Sequence, residues 1–250
     1  MEVDFGDIEG RRVVITGAGR GLGAVLATAF DAAGAQLGLV ARSADELHVV
    51  AGSLKGEAFV AAGDVRDAGF NESVAAGMVD RFGGVDVWIA NAGVSSPDIP
   101  VEKMDPQAWR KIIDINLTGT FLGAQAAARV MGEGGRIIVT GSILGDRPRG
   151  GLSAYSSSKA AVQSLVQALA LELGPQAITA NAVALGFFDT GLGAHWHRSD
   201  ERGDDIARHT ALGRWGTPDD LVGIYLFLAS ASSAYVTGTT ITVDGGYSLV

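Results

Sequence analysis

Arg12–Phe30 reads RVVITGAGRGLGAVLATAF: a β-branched run, a seven-residue turn containing four glycines, and then apolar residues with helix-like spacing. A chain that leaves a strand through such a turn and enters a helix at once has physical uses for its glycines. Gly17 permits the tight turn, Gly21 lets the backbone approach a diphosphate, and Gly23 lets helix and sheet pack closely. The helix N-terminus offers free N–H groups to the anion. A glycine cluster alone is equally a plain strand-to-helix turn. Its place between the first strand and the first helix is the context a dinucleotide site requires.

Further along, short β-branched or apolar runs alternate with longer amphipathic segments. RVVIT, QLGLVA, AFVAA, VDVWIA, RIIVT, ITANAVA and TTITVD are the seven strand candidates. Helix-start chemistry lies between them: Ser43 with Glu46 forms a capping box, Asp105 and Pro106 an N-cap and N1 pair, and Thr217 with Pro218 repeats that pair. Strands this apolar cannot expose either face. The pattern predicts an α/β, Rossmann-type doubly wound fold, with a seven-stranded parallel sheet flanked by helices on both faces. Ligands of such sheets lie at the carboxyl ends of the strands. The least patterned stretch, Leu185 to His209, reads as a long connection, and a substrate lid is expected over about residues 185–210.

The chain has 250 residues, 47% of them hydrophobic, and is expected to form one domain over residues 1–250. No apolar run approaches the roughly 20 residues needed to cross a bilayer, and the N-terminus has acids where a signal peptide would be basic. A cytoplasmic location is expected. The absence of cysteine rules out disulfides and thiolate chemistry, and the net charge of −9 disfavours nucleic acid as a partner. A small-molecule partner is the better fit.

The spacing of Gly17, Gly21 and Gly23 resembles the TGxxxGxG turn of the short-chain dehydrogenase/reductase family, in which Gly19, Arg20 and Leu22 also belong to the cofactor-binding turn. Asn91-Ala92-Gly93 after the fourth strand is similar to the family's NAG motif, and Asp64-Val65 after the third to its adenine contact. The plain alternative for Asp64 is a cap on the next helix. The resemblance runs from Thr16 to the VDGG at Val243–Gly246, with the motifs in family order. It implies an oxidoreductase that uses a nicotinamide dinucleotide. At the end of the second strand, Ala41 is followed by Arg42 and Ser43, with no acid placed to hold a free 2′-hydroxyl and a guanidinium able to grip a 2′-phosphate. NADP(H) is therefore expected ahead of NAD(H), with Arg20 as a second cation.

Tyr155 and Lys159, in YSSSK at the start of a predicted helix, stand four residues apart and share one face. Ser142 follows the fifth strand, and a loop of that length can bring its hydroxyl to the phenol. A ketone accepting hydride becomes an alkoxide and needs a proton donor about 3 Å from its oxygen. A free phenol titrates near pH ~10, above the best range for that task; a cation about 4 Å away at an effective dielectric of about 20 is worth about 4 kcal/mol, enough to lower it. Ser142, Tyr155 and Lys159 resemble the family's active site, and Asn116 in IIDINLTGTF its fourth member. The resemblance further implies that Lys159 holds the nicotinamide ribose and that Asn116 helps seat a proton-relaying water. Taken singly, each of the four is as readily a structural residue.

Where the family has Pro-Gly and then Thr, this chain has Leu185, Gly186 and Thr190. Gly186 and Thr190 still match the carboxamide loop, and the loss of proline frees φ and restores an N–H, so a more mobile or register-shifted loop is expected. His195, Trp196 and His197 are expected on the lid, a metal reading lacking a third ligand. Arg147 and Arg149 are candidates for meeting an anionic substrate or are a solvated basic loop. Gly213–Gly223 is similar to family members acting on sugar acids and polyols. The apolar helices after Ala160 and over Leu221–Ala229 need cover on several sides, and the resemblance implies a homo-oligomer, a tetramer. The alternatives to a ketone/alcohol enzyme are a sugar-acid or polyol dehydrogenase linked to NAD, a 3-oxoacyl-thioester reductase and a dinucleotide-binding sensor.

Overall fold

Each β-branched run becomes a strand, and none is antiparallel to its neighbour. The structure, a computed structural model, describes residues 6–95, 98–190 and 200–250. Its strands are β1 (Arg12–Thr16), β2 (Gln36–Ala41), β3 (Ala58–Ala62), β4 (Val87–Ala90), β5 (Arg136–Thr140), β6 (Thr179–Leu185) and β7 (Thr240–Val243). They form one parallel sheet in the order β3-β2-β1-β4-β5-β6-β7. Successive residues of β1 face opposite sides. Val13 and Ile15 join Leu37 and Leu39 beneath α1 (Gly21–Ala32) and a late helix, while Val14 joins Val40 and Trp88 on the other side. That other side is covered by α3 (Ala68–Phe82), α5 (Gly119–Ala128) and α6 (Ser153–Leu173). The fold is doubly wound, and its order reverses between β1 and β4.

The remaining helices are α2 (Ala44–Ser53), α4 (Pro106–Ile113), α7 (Asp200–Arg208) and α8 (Asp219–Ala229). Ser43 caps α2 by accepting from the Glu46 N–H at 3.3 Å, and Asp105 caps α4 from Gln107 and Ala108. The start of α8 differs from expectation. The Thr217 hydroxyl does not accept; it and the Thr217 N–H both donate to Asp220, at 2.9 and 2.7 Å, so the acid reaching back is the half of a capping box that forms. Asp220 also takes two bonds from Arg214.

β4 begins two residues later than VDVWIA suggests, because Asp86 turns to bind the backbone N–H and guanidinium of Arg12. The connection after β6 is not wholly without regular structure, since it contains α7. Leu185 pairs with Val243, and the Gly186 N–H donates to the Val243 carbonyl at 2.9 Å, so β6 runs through the position where the family has proline. His195, Trp196 and His197 lie outside the described residues. Among the described residues, no helix is long and apolar enough to cross a membrane.

Candidate active site

At the point where the strand order reverses, the carboxyl ends of the strands open into a cleft of about 1160 Å³. Its floor is the glycine turn. Gly17 and Gly21 have φ of +70° and +56°, a region open to glycine at little cost. A Cβ on Gly23 would stand 2.1 Å from the Gly17 carbonyl oxygen, so only glycine lets α1 start there. Arg20 occupies the N-cap of α1 without a side-chain bond to the first turn. The N-terminal donors thus face the cleft with no side-chain cap, which suits an anion.

The far end of the floor is made by β2. Arg42 and Ser43 line it as expected, but so does Glu46 from the first turn of α2, whose carboxylate oxygen lies 3.0 Å from where a Gly19 Cβ would be. An inspection limited to the strand end does not find this acid. Asp64 also lines the cleft. Its carboxylate is gripped by Arg66, with Oδ2 2.6 Å from Nη2, and this bond chiefly holds it below the usual carboxylate range. Asp67, not Asp64, caps α3. Val65 is buried against Gly119, where an added Cβ would lie 2.8 Å from the valine methyl.

Asn91 ties the reversal point together. Its N–H and that of Ala92 donate to Thr16 Oγ1 at 2.9 and 3.0 Å, and its Nδ2 donates to the Thr16 carbonyl at 2.9 Å. Thr140, the last residue of β5, donates its hydroxyl proton to Asn91 Oδ1 at 3.2 Å. With that proton committed, the Tyr225 phenol 2.8 Å away must be the donor to Thr140. Burial pushes the Tyr225 phenol up, which keeps it a donor. The Thr140 carbonyl accepts from Lys159 Nζ at 2.7 Å. One hydrogen-bonded chain therefore runs from α8 to the lysine. Tyr225 and Thr140 escape a reading for motifs; the available signal is a tyrosine on the buried stripe Leu221, Tyr225, Leu228, whose hydroxyl needs a partner. Tyr225→Phe is expected to cost about 1–3 kcal/mol in urea unfolding, because Thr140 loses a donor in a buried site.

Ser142, Tyr155 and Lys159 come together at the inner end of the cleft. Ser142 Oγ accepts the Leu144 N–H at 3.2 Å and lies near the Tyr155 phenol. Lys159, one turn further along α6, is buried, with Nζ 5.7 Å from the centre of the Tyr155 ring. One expectation needs correction here. Burial raises the Tyr155 phenol above its ordinary value, with the Ser142 hydroxyl opposing it, and burial lowers Lys159 to about 8. Burial of the phenol therefore outweighs any lowering by the neighbouring ammonium.

Asn116 is buried and is not among the residues that line the cleft. Its Oδ1 accepts from Val94 N–H at 2.8 Å, and its Nδ2 donates to the Val94 carbonyl at 2.9 Å and to Ser158 Oγ at 3.0 Å. Its carbonyl accepts from Thr120 at 2.8 Å, within a π-turn over Asp114–Thr118. The side chain is spent on holding the Val94 loop to α6. Gly93 separates it from the lysine: a Cβ there would lie 3.4 Å from Asn116 Oδ1 and 3.7 Å from Lys159 Nζ. Gly186 and Thr190 both line the cleft, whereas Arg147 and Arg149 are exposed and do not. No group of acids and histidines among the described residues is placed to hold a metal.

A family profile described as enoyl-(acyl carrier protein) reductase matches residues 17–248. Cis-4-hydroxycyclohexanecarboxylate dehydrogenase of Sinomonas cyclohexanicum is 38% identical over 248 residues, 96% of this chain and 97% of that protein. Gluconate 5-dehydrogenase of Gluconobacter oxydans is 32% identical over 97% and 96% of the two chains. A short-chain type dehydrogenase/reductase from Mycobacterium marinum superposes with a TM-score of 0.90 at 37% identity, covering 99% of both chains. The chain belongs to the short-chain dehydrogenase/reductase family. As a member, it is an oxidoreductase acting on CH–OH or C=O groups of small molecules with NAD or NADP. The cleft fits such a dinucleotide on its own observations: the cradle that a Gly23 Cβ would fill and the α1 N-terminus that has no side-chain cap.

Proposed function

We propose that this short-chain dehydrogenase/reductase interconverts a ketone and a secondary alcohol with NADP(H), using Tyr155 as general acid/base. The observation that carries the reading is the Tyr155 phenol beside Ser142 and buried Lys159, all three lining one glycine-floored cleft. The turn from Gly17 to Gly23, with Gly19, Arg20, Gly21 and Leu22, would hold the diphosphate, and Arg42 and Ser43 the 2′-phosphate. Asp64 and Val65 would face the adenine, Asn91, Ala92 and Gly93 would back the nicotinamide half, Lys159 would hold its ribose, and Gly186 and Thr190 its carboxamide. NADP(H) supplies or accepts the hydride. During reduction the carbonyl oxygen, held by Ser142, takes the Tyr155 proton, and Lys159 assists its return. Asn116 acts by positioning the Val94 loop and α6.

A homo-oligomer, a tetramer by family analogy, is part of this proposal. Its support is apolar surface on two helices, Phe121 at 40% and Leu171 at 81% exposure.

Glu46 favours a second reading, in which its carboxylate accepts from a free ribose hydroxyl and the cofactor is NAD(H). Two variants separate them. If Arg42 reads the phosphate, Arg42→Ala should weaken NADPH about 10- to 100-fold and leave NADH nearly unchanged, the loss expected for charged hydrogen bonds. If Glu46 reads the ribose, Glu46→Gln should weaken NADH and Arg42→Ala should leave the ratio alone. Fluorescence titration of each variant with both nucleotides decides the point.

A further inference from the structure

The reacting oxygen has polar hosts in Ser142 and Tyr155, but the surface around them is apolar. Ile143, Leu144 and Leu152, exposed by 3%, 9% and 0%, form a buried cluster, and Tyr155 and Phe187 pack against it. The Phe187 ring is fixed from two sides. It meets Tyr247 edge-on at 4.8 Å between centroids and Trp215 at 5.7 Å. Trp215 turns its indole N–H away, donating to the Gly203 carbonyl at 2.9 Å, and so presents carbon to Phe187. This tryptophan belongs to the very stretch whose sequence is similar to sugar-acid and polyol enzymes.

Polar groups are scarce beside this wall. Ser95 and Asp98 also line the cleft, Asp98 beside Gly151, and each is already engaged in an interaction of its own. Lys159 gives one N–H to the Thr140 carbonyl, and in the proposed site its others serve the nicotinamide ribose. Among the described residues no other cation lines this inner end, since Arg20 and Arg42 sit with the glycine turn and the end of β2. Among the described residues, a hydroxyl on a carbon next to the reacting one would face chiefly carbon along this wall, and a carboxylate there would meet no cation.

We infer that the substrate carries its alcohol or ketone on a carbon flanked by apolar carbon, in an alicyclic or aryl-fused ring, and is not a polyol or sugar acid. The inference rests on the oxidoreductase reading of Ser142 and Tyr155. It goes beyond that reading by assigning the wall of Leu144, Leu152 and Phe187 as the specificity surface.

The test compares kcat/KM of the full chain for cyclohexanol and 2-tetralol with that for ribitol and gluconate, using NADP⁺ and NAD⁺. The ring alcohols should be favoured at least about 100-fold, about tenfold for each unpartnered hydroxyl. Leu144→Asn should lower the ring-alcohol value and narrow the ratio about tenfold, with nucleotide affinity unchanged as the sign of an intact fold. Equal or better turnover of ribitol or gluconate overturns the inference. If no alcohol is oxidised, thermal shifts with nucleotide present separate the two claims. Stabilisation by the ring compounds alone keeps the specificity surface and sinks the oxidoreductase reading; stabilisation by the polyols alone, by both classes or by neither overturns the inference.

Discussion

Tyr155→Phe is expected to reduce kcat by about 10²–10⁴-fold, the range for losing a positioned general acid/base. Nucleotide binding and unfolding stability should change little. The phenylalanine ring keeps the packing of residue 155 against the cluster of Ile143, Leu144 and Leu152, and it loses only the hydroxyl beside Ser142. No other described side chain combines an ionisable hydroxyl with contact to Ser142 in the cleft. The paired measurements are steady-state turnover of a ring ketone with NADPH and NADPH titration of the same preparation. Retained kcat removes Tyr155 from its role; lost binding assigns the residue to holding the nucleotide.

Gly23→Ala should have the largest effect on binding. The added Cβ would meet the Gly17 carbonyl oxygen at 2.1 Å, the Gly17 carbonyl carbon at 2.7 Å and Ala18 Cα at 2.9 Å. All three are backbone atoms of the turn, so relief requires the turn to open and the N-terminus of α1 to leave the cleft floor. Overpacking of this kind costs about 3 kcal/mol, and a turn displaced by that much should lose NADPH affinity by about 100-fold or more. Gly52→Ala is the control. Nothing lies within 4 Å of a Cβ there, inside α2, and alanine should stabilise that helix by up to about 1 kcal/mol. Urea unfolding and titration of the two variants side by side distinguish a blocked turn from a general intolerance of side chains at glycine.

The elements best read from sequence were those in which local chemistry and burial agree. RVVIT and RIIVT are β-branched and end at the cleft, and the glycine turn has one workable geometry. In the long connection after β6, α7 was not legible because DERGDDIAR is almost wholly polar, with Ile206 its one described residue buried by an apolar side chain. Glu46 was missed because it enters the cleft from a helix turn beyond the strand end. The direction of the Tyr155 shift is set by the burial of the phenol, and spacing along a helix does not give that. Asn116 matched a motif, yet its bonds to Val94 and Ser158 come from a π-turn and a loop that pattern reading does not anticipate.

Titration of the purified protein with NADPH, followed by energy transfer from its tryptophans, tests the account most directly because it needs no knowledge of the substrate. The account predicts saturable binding, tighter for NADPH than for NADH, kept in Tyr155→Phe and lost in Gly23→Ala. Saturable binding of neither nucleotide would contradict it.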